Sequence, residues 1–202
     1  MKLLIIDTSY PEIFSLGIYV EPSLYSVVKG PPNDFSSLWK ELENLFRVSG
    51  IGRREIEAVS VAVGPGPFTS LRSGVSIGKT VSQILGIKIV AFSSVEVIEE
   101  SFSEIKPVIL FDGGAGKLLV KRHNSDSLEI VKPQEFKVVE SDVIVSVGCA
   151  KIVQQMGIKS INLDYLPPQM ILKLVVSKIA KGEFRHFSEV LPIYHKQYGN
   201  LT

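Results

Sequence analysis

The amino-acid sequence predicts a duplicated α/β fold, in which each half consists of three strands, a helix, a strand and a second helix. Three observations lead to this prediction. Short apolar runs bounded by Gly, Pro, Asp or Ser are typical of buried strands. Between these runs, two segments of the first half have apolar residues at the three- and four-residue spacing of an amphipathic helix. The order of strands and turns then returns, in degraded form, after Pro107.

The predicted elements of the first domain, residues 1–103, are strands at 3–6, 13–20 and 24–29, a helix at 34–49, a strand at 58–63, a helix at 70–85 and a strand at 88–92. The first strand ends in the turn Asp7-Thr8-Ser9. Asn33 or Asp34 can serve as the N-cap of the first helix, and Gly50 ends it.

The predicted elements of the second domain, residues 104–202, are strands at 108–111, 118–121, 128–131 and 143–147 and helices at 150–156 and 169–181. Its first strand ends at Asp112, as the first strand of the chain ends at Asp7. The helix that should follow the second three-strand meander is missing or very short, so the second half is a degraded copy.

The composition is that of a folded protein with little net charge. Of the 202 residues, 45% are apolar, and 22 basic against 21 acidic side chains give a net charge of +1. Direct binding to a polyanion usually needs clustered lysine and arginine, and the sequence has no such cluster, so we expect any role with RNA to be indirect.

Cys149 is the single cysteine, which excludes a disulfide framework. No apolar run is long enough for a signal peptide or a membrane span, so a cytoplasmic protein is expected.

Residues 64–72, GPGPFTSLR, form the most distinctive segment. Two glycines and two prolines predict a rigid turn between a buried strand and a helix, with Thr69 or Ser70 as the helix cap. Backbone N–H groups at this helix start could bind an anion, and a stiff connector without a ligand is the alternative. Residues 74–80 resemble a phosphate-binding loop but are not one, because Ser73 stands where that motif requires glycine and the segment lies inside a helix.

The turns after the two equivalent strands are candidate phosphate-binding turns. Asp7, Thr8 and Ser9 follow the first strand, and Asp112 follows its counterpart. An ordinary hairpin at 112–116 is the alternative for the second turn.

Metal and nucleophile chemistry is poorly supported by the sequence. The three histidines, His123, His186 and His195, have no helical i, i+4 spacing of the kind that zinc sites prefer. No sharp turn presents a nucleophile beside a base. We therefore predict no catalytic residue, no resident metal and no cofactor bound by this chain alone.

The two helices of the first half are candidate partner-binding elements. Apolar and small residues fill more than half of the circumference of helix 70–85, whereas a helix on a sheet needs a narrower stripe. Large side chains in helix 34–49 favour an interface. The alternative is that both helices pack only within the chain. The candidate interface residues are Phe35, Leu38, Trp39, Leu42, Leu71, Val75, Gly78, Lys79 and Ser82.

The sequence resembles the TsaB (YeaZ) family along nearly its whole length. The segments that match family motifs are Ile5-Ile6-Asp7-Thr8-Ser9, residues 63–74, Lys79, Gly86-Ile87, Ser93-Ser94-Val95-Glu96 and Leu191-Pro192-Ile193-Tyr194. This resemblance implies a duplicated actin-like (ASKHA, ribonuclease H-like) fold. It also implies a non-catalytic subunit that supports TsaD, the related enzyme that transfers threonylcarbamoyl to N6 of adenosine-37 of tRNA.

The resemblance further implies which partners and ligands the chain meets. A TsaD-type subunit and a TsaE-type ATPase are expected partners, a homodimer is expected when the chain is alone, and tRNA is contacted only indirectly. ATP or another nucleotide is expected on the complex with TsaD and TsaE. TsaD has an HxxxH metal-binding pair on its first helix, whereas residues 35–41 here contain no histidine.

Two segments depart from the family pattern. Asn33-Asp34-Phe35 stands where a His-Ser pair is common, and residues 112–116 replace a DARRGEVY-like strand. Two other functions stay open from the sequence: an actin-like-fold small-molecule phosphotransferase, and a homodimeric binding scaffold unrelated to tRNA.

Overall fold

The protein consists of two compact units. The computed structural model describes residues 1–10, 12–30, 35–123, 125, 127–139 and 142–193. Unit 1 comprises Met1–Ser94 and Pro167–Ile193, and unit 2 contains Val95–Leu166. Residues 167–193, which the sequence analysis assigned to the second domain, thus fold with the first half.

In chain order the elements are β1 (Lys2–Asp7), β2 (Phe14–Val20), β3 (Ser23–Lys29), α1 (Phe35–Ser49), β4 (Ala58–Ala62), α2 (Phe68–Leu85), β5 (Lys88–Phe92), α3 (Ser94–Ser101), β6 (Val108–Gly114), β7 (Lys117–Lys121), β8 (Leu128–Val131), β9 (Ile144–Val147), α4 (Ala150–Gln155), β10 (Ile161–Leu163) and α5 (Pro168–Ala180). None of the helices described is both long enough and apolar enough to span a bilayer.

The two sheets have the same topology, which confirms the predicted duplication. In unit 1 the strand order is β3-β2-β1-β4-β5, and in unit 2 it is β8-β7-β6-β9-β10. In each sheet the first three strands are antiparallel, and the last two run parallel to the first. This arrangement is that of the ribonuclease H-like fold, on which actin-like proteins are built twice.

The central strands of unit 1 are almost entirely buried, which explains why their sequences are apolar without alternation. All five residues of β4 are buried, and only the first residue of β1 is partly exposed. A strand covered on both faces is apolar without alternation. One core cluster joins residues of β1, β2, β4 and β5 with Leu38, Leu42 and Leu45 of α1 and Val75 and Ile77 of α2.

Unit 2 has a smaller core, around Val108, Leu110, Phe136, Ile144 and Val153. Among its described residues, only a 3₁₀ turn, Pro133–Glu135, stands where the first half has α1. The prediction that this helix is missing or very short is therefore confirmed.

Two short elements were not predicted, and one predicted cap is wrong. The helix α3 and the three-residue strand β10 are absent from the sequence-based assignment, since neither shows a clear period. The N-cap of α2 is Pro67, without a side-chain cap, so Thr69 and Ser70 lie inside the helix. The proposed caps Asn33 and Asp34 lie outside the described residues. Gly50 ends α1 with φ of 71°, as predicted.

Candidate functional site

The turn Asp7-Thr8-Ser9 lies in unit 1 at the end of β1 and is completely enclosed. The exposed fractions of the three residues are 0%, 1% and 3%. Asp7 Oδ1 accepts a hydrogen bond from the Ser9 amide at 2.9 Å, and Thr8 Oγ1 donates to the Ser70 carbonyl at 2.7 Å. The turn is therefore tied both to itself and to the first turn of α2.

The glycines of the connector let its backbone lie directly on this turn. A Cβ on Gly66 would be 2.3 Å from the Ser9 carbonyl oxygen, and one on Gly74 would be 2.3 Å from Thr8 Oγ1. The Ser94 amide donates to the Gly64 carbonyl at 2.9 Å, which fastens the connector at its start. Residues 64–67 thus form a stiff lid over the candidate turn, and a phosphate group has no access to it in this arrangement.

Beneath the lid, only one of the two carboxylate oxygens of Asp7 has a hydrogen-bond partner among the described residues. Asp7 Oδ2 and the hydroxyls of Ser9 and Ser15 are buried without a hydrogen-bond partner in the described part of the chain. Ser15 lies directly opposite Asp7 in the β1–β2 ladder. Burial raises the pKa of Asp7 to about 6, and the hydrogen bonds from Ser9 offset only part of that effect. Among the described residues no charged group contributes to this pKa, so none of them acts as a counter-ion to the carboxylate. Sequence reasoning identified Asp7 but gave no signal for Ser15.

Asp112, in unit 2, occupies a different environment. Its side chain is exposed, and Oδ1 accepts a hydrogen bond from the Gly114 amide at 2.8 Å. Ala115 and Gly116 connect β6 to β7 with positive φ angles of 50° and 71°, as a two-residue hairpin turn requires. The local structure is the ordinary hairpin that the sequence left as an alternative to a phosphate-binding turn.

Most of the candidate interface residues are core residues of unit 1. Leu38, Leu42, Leu71 and Val75 are at most 5% exposed. They hold α1 and α2 on their own sheet, so they are not available to a partner. The side chain of Phe35 lies outside the described residues.

Gly78 and Ser82, two of the candidate interface residues, do not lie on an outward face of α2. A Cβ on Gly78 would lie 2.1 Å from Val61 Cγ1, so this glycine lets α2 approach β4 of its own sheet. Ser82 is 2% exposed, and its hydroxyl donates to the Ile87 carbonyl beyond the helix end. Lys79 is half-buried and donates to the Val190 carbonyl at 3.3 Å. The wide apolar arc of α2 is therefore explained within unit 1, because the sheet and the segment that ends at Val190 both cover it.

The outward faces of α1 and α2 are largely polar. The exposed residues on them are Ser36, Trp39, Lys40, Glu43, Arg47 and Val48 of α1 and Phe68, Thr69, Arg72, Ser76, Thr80, Gln83 and Ile84 of α2. Trp39 is 46% exposed and Ile84 76%. Single apolar side chains thus border a face of hydroxyl, amide and charged groups.

The described residues offer no obvious metal-binding or nucleophilic cluster. Within those ranges no three His, Cys, Asp or Glu side chains lie close enough to hold one ion. His195 falls outside them. Cys149 is buried, its Sγ donates to the Leu110 carbonyl at 3.4 Å, and burial raises the pKa of its thiol to about 12. A thiol with such a pKa is a poor nucleophile at neutral pH.

Comparison with known proteins relates the chain to one enzyme family. The family model described as TsaD, tRNA N6-adenosine threonylcarbamoyltransferase, matches residues 36–160. The tRNA N6-adenosine threonylcarbamoyltransferase of Buchnera aphidicola subsp. Baizongia pistaciae (strain Bp) is 26% identical over 162 residues, which cover 75% of this chain and 46% of that protein. The chain thus spans about half the length of the curated relative that it matches.

Two solved structures share the fold. YeaZ from Pseudomonas aeruginosa superposes with a TM-score of 0.77 at 19% identity, over 96% of this chain and 99% of that one. A protein described as similar to peptidase YEAZ from Pseudomonas aeruginosa gives a TM-score of 0.76 at 20% identity, over 96% and 98%. At these identities the likeness is evidence for the fold alone.

Proposed function

Because the chain belongs to the TsaD family of tRNA N6-adenosine threonylcarbamoyltransferases, we propose that it is a TsaB-type accessory subunit of the machinery that forms threonylcarbamoyladenosine in tRNA. The family model shows the TsaD family, and the YeaZ structure shares the fold. In this proposal the chain acts in the cytoplasm and supports a TsaD-type catalytic subunit. Nucleotide binds to the complex that also includes a TsaE-type ATPase.

The enclosed Asp7-Thr8-Ser9 turn is the observation that best supports an accessory role. In the duplicated fold this turn is the candidate phosphate-binding element, and here Gly66 and Gly74 pack against it without a gap. The first helix has no histidine in its described residues, so it lacks the HxxxH pair expected of TsaD. A chain with a sealed turn and no metal-binding pair on α1 is better suited to positioning a partner than to catalysis.

The outward faces of α1 and α2 are the proposed partner surface. The partner has the same duplicated fold, so equivalent helices of the two chains can meet across a pseudo-twofold axis. A non-obligate interface is, as a whole, about as polar as the rest of a protein surface, so a largely polar face with single apolar side chains is compatible with one. The same surface would form a homodimer when the partner is absent.

Co-purification with the TsaD-type subunit of the same organism tests the proposal. We expect the two chains to co-elute in size-exclusion chromatography. With threonylcarbamoyl-adenylate and tRNA, the modified adenosine should form only when the TsaD-type subunit is present. Modified adenosine formed by this chain alone, or ATP hydrolysis by it, would contradict the accessory role.

A matched pair of variants tests the surface. Ser76→Arg places a bulky charge at the centre of the exposed face of α2, and Gln154→Arg places the same charge on the exposed side of α4 in unit 2. A buried unpaired charge costs several kcal/mol, so Ser76→Arg should weaken TsaD binding by about 100-fold or more. Gln154→Arg should bind normally. Equal binding by both variants would place the interface elsewhere, and light scattering would give the corresponding result for the homodimer.

A further inference from the structure

Unit 1 has a groove whose basic and aromatic side chains have no part in the proposed accessory role. It has a volume of about 490 Å³ and lies beside the end of α2 and the start of β5. The residues that give it its chemical character are Lys88, Phe184, Arg185, His186 and Phe187. Three basic and two aromatic side chains thus line one concave surface.

The fold brings these residues together from distant parts of the chain. The Arg185 amide donates to the Ile89 carbonyl at 2.9 Å, and the Ile89 amide donates back at 3.4 Å. This isolated antiparallel bridge sets the segment after α5 beside β5. The bridge itself is made by backbone atoms, so we expect it to survive substitution of the Lys88 and Arg185 side chains.

The positive charge at the groove is not neutralised. Within the described parts of the chain, Lys88 and Arg185 have no carboxylate within ion-pair distance. The nearby Glu183 is already paired with Lys178, at 3.5 Å. Glu189 accepts the backbone N–H of His186 at 3.3 Å and closes its own turn. The cations therefore remain available to an external anion.

These cations are also not required by the helix ends that border the groove. The Ser82 carbonyl accepts from the amides of Gly86 and Ile87, and the Lys178 carbonyl accepts from the Glu183 amide. Backbone donors thus satisfy carbonyl groups at the ends of both α2 and α5, where free carbonyls would otherwise attract lysine or arginine.

Aromatic faces accompany the charges. The Lys88 ammonium lies 4.7 Å from the centroid of the Phe184 ring. The His186 ring packs on Phe187 with a centroid distance of 4.2 Å, and His186 is exposed. Cations beside planar rings are the combination that binds unpaired nucleotides, since bases stack on rings while phosphates contact cations.

The sequence predicted only indirect contact with RNA, because it has no cluster of basic residues along the chain. In contrast to that expectation, we propose that this groove binds a nucleotide unit of single-stranded RNA, with the base against the aromatic side chains and the phosphate on Lys88 and Arg185. The identity of the nucleic acid rests on the proposed function in tRNA modification. The shared chemistry, a base joined to a phosphate, also occurs in free nucleotides. A single strand is favoured over a duplex because a paired base cannot stack on a side chain inside a groove.

Fluorescence anisotropy with a short labelled single-stranded oligoribonucleotide tests the proposal on the full chain. Lys88→Gln combined with Arg185→Gln should weaken binding about tenfold or more at low salt. It should also reduce the slope of log K against log salt by about 1.4, which is about 0.7 for each phosphate that the chain no longer neutralises. The matched control, Lys151→Gln combined with Lys159→Gln, removes the same charge from exposed positions of unit 2 and should bind within about twofold of the unsubstituted chain.

A second variant keeps the test independent of charge. Phe184→Leu retains apolar packing but removes the ring, and it should weaken binding about fivefold or more, because each stacked base contributes on the order of 1 kcal/mol or more. Equal binding by the unsubstituted chain and both groove variants would overturn the proposal, as would absence of binding. Binding of AMP that depends on Lys88 and Arg185, without binding of the oligonucleotide, would overturn the assignment to RNA.

The outcome is separable from that of the proposed function. Co-elution with the TsaD-type subunit reports on the accessory role, and it should be unaffected by the groove substitutions. If co-elution fails while groove-dependent RNA binding persists, the accessory role is wrong and the groove assignment stands. If co-elution succeeds while RNA binding is unchanged by the groove substitutions, the accessory role stands and the groove assignment is wrong.

Discussion

The buried carboxyl of Asp7 predicts an unusual dependence of stability on pH. Its pKa is raised from 3.8 to about 6 by burial, so between these pH values the folded state binds a proton more tightly than the unfolded chain. The contribution of this group is therefore fully present below about pH 3.8 and is lost as the pH rises through about 6. At about 1.4 kcal/mol per pKa unit, ionising Asp7 costs the folded state about 3 kcal/mol at pH 7.

Asp7→Asn removes the titration while it keeps the oxygen that accepts the Ser9 amide. We expect the variant to match the unsubstituted chain near pH 4. Its free energy of unfolding should exceed that of the unsubstituted chain increasingly from pH 4 to pH 7, by up to about 3 kcal/mol. The amide NH₂ takes the place of Oδ2, which has no partner. The protonated carboxyl also carries a donor, so an unsatisfied donor affects both forms near pH 4 and does not reduce the pH-dependent gain.

Urea denaturation at several pH values measures this difference, and Asp112→Asn is the matched control. Asp112 also accepts an amide two residues ahead, at 2.8 Å against 2.9 Å for Asp7, but it is exposed. The control makes the same Asp-to-Asn exchange in an exposed turn. Other acids, such as Glu41, whose pKa is lowered by its hydrogen bond with Lys29, also make stability depend on pH. Their contributions are the same in the variant and in the unsubstituted chain, so they cancel in the difference between the two. A constant difference between pH 4 and 7, or a loss of stability at pH 7, would refute this account of Asp7.

Three further predictions concern packing, the enclosed turn and metal content. Gly78→Ala should destabilise unit 1 by about 1–3 kcal/mol, because its Cβ would meet Val61 at 2.1 Å; an unchanged urea midpoint would contradict this. Thr8→Val should cost about 1–3 kcal/mol by leaving the buried Ser70 carbonyl without its side-chain donor; calorimetry showing no change would mean that this bond is dispensable. Zinc and iron should be absent after dialysis, as the scattered histidines and the single cysteine predict; a stoichiometric metal in elemental analysis would contradict it.

The candidate site shows where sequence reasoning reached its limit. The sequence placed Asp7-Thr8-Ser9 after a buried strand and residues 64–67 in a rigid turn, and both placements are confirmed. It could not tell that the second segment covers the first. Contact between Gly66 and Ser9 depends on the parallel pairing of β1 with β4, which joins residues more than 50 positions apart.

The helices of unit 1 show the same limit, because their sequence does not say what each face packs against. Periodicity gave the positions of α1 and α2 and the breadth of the apolar arc on α2. It did not give the direction in which Gly78 and Ser82 point, because one helix wheel fits packing on a partner or on the chain's own sheet equally well. The close approach to Val61 decides between them for Gly78.

The sequence by itself determined the duplicated α/β fold and the family, because these depend on local periodicity and on short contiguous motifs. The tertiary structure decided which residues are buried, which are exposed and which distant residues come into contact. It showed that Asp7 is buried with no counter-ion in the described part of the chain. It also showed that Lys88 and Arg185, almost a hundred residues apart, line one groove. Burial and charge clustering arise from long-range contacts, so they cannot be inferred from the local order of residues.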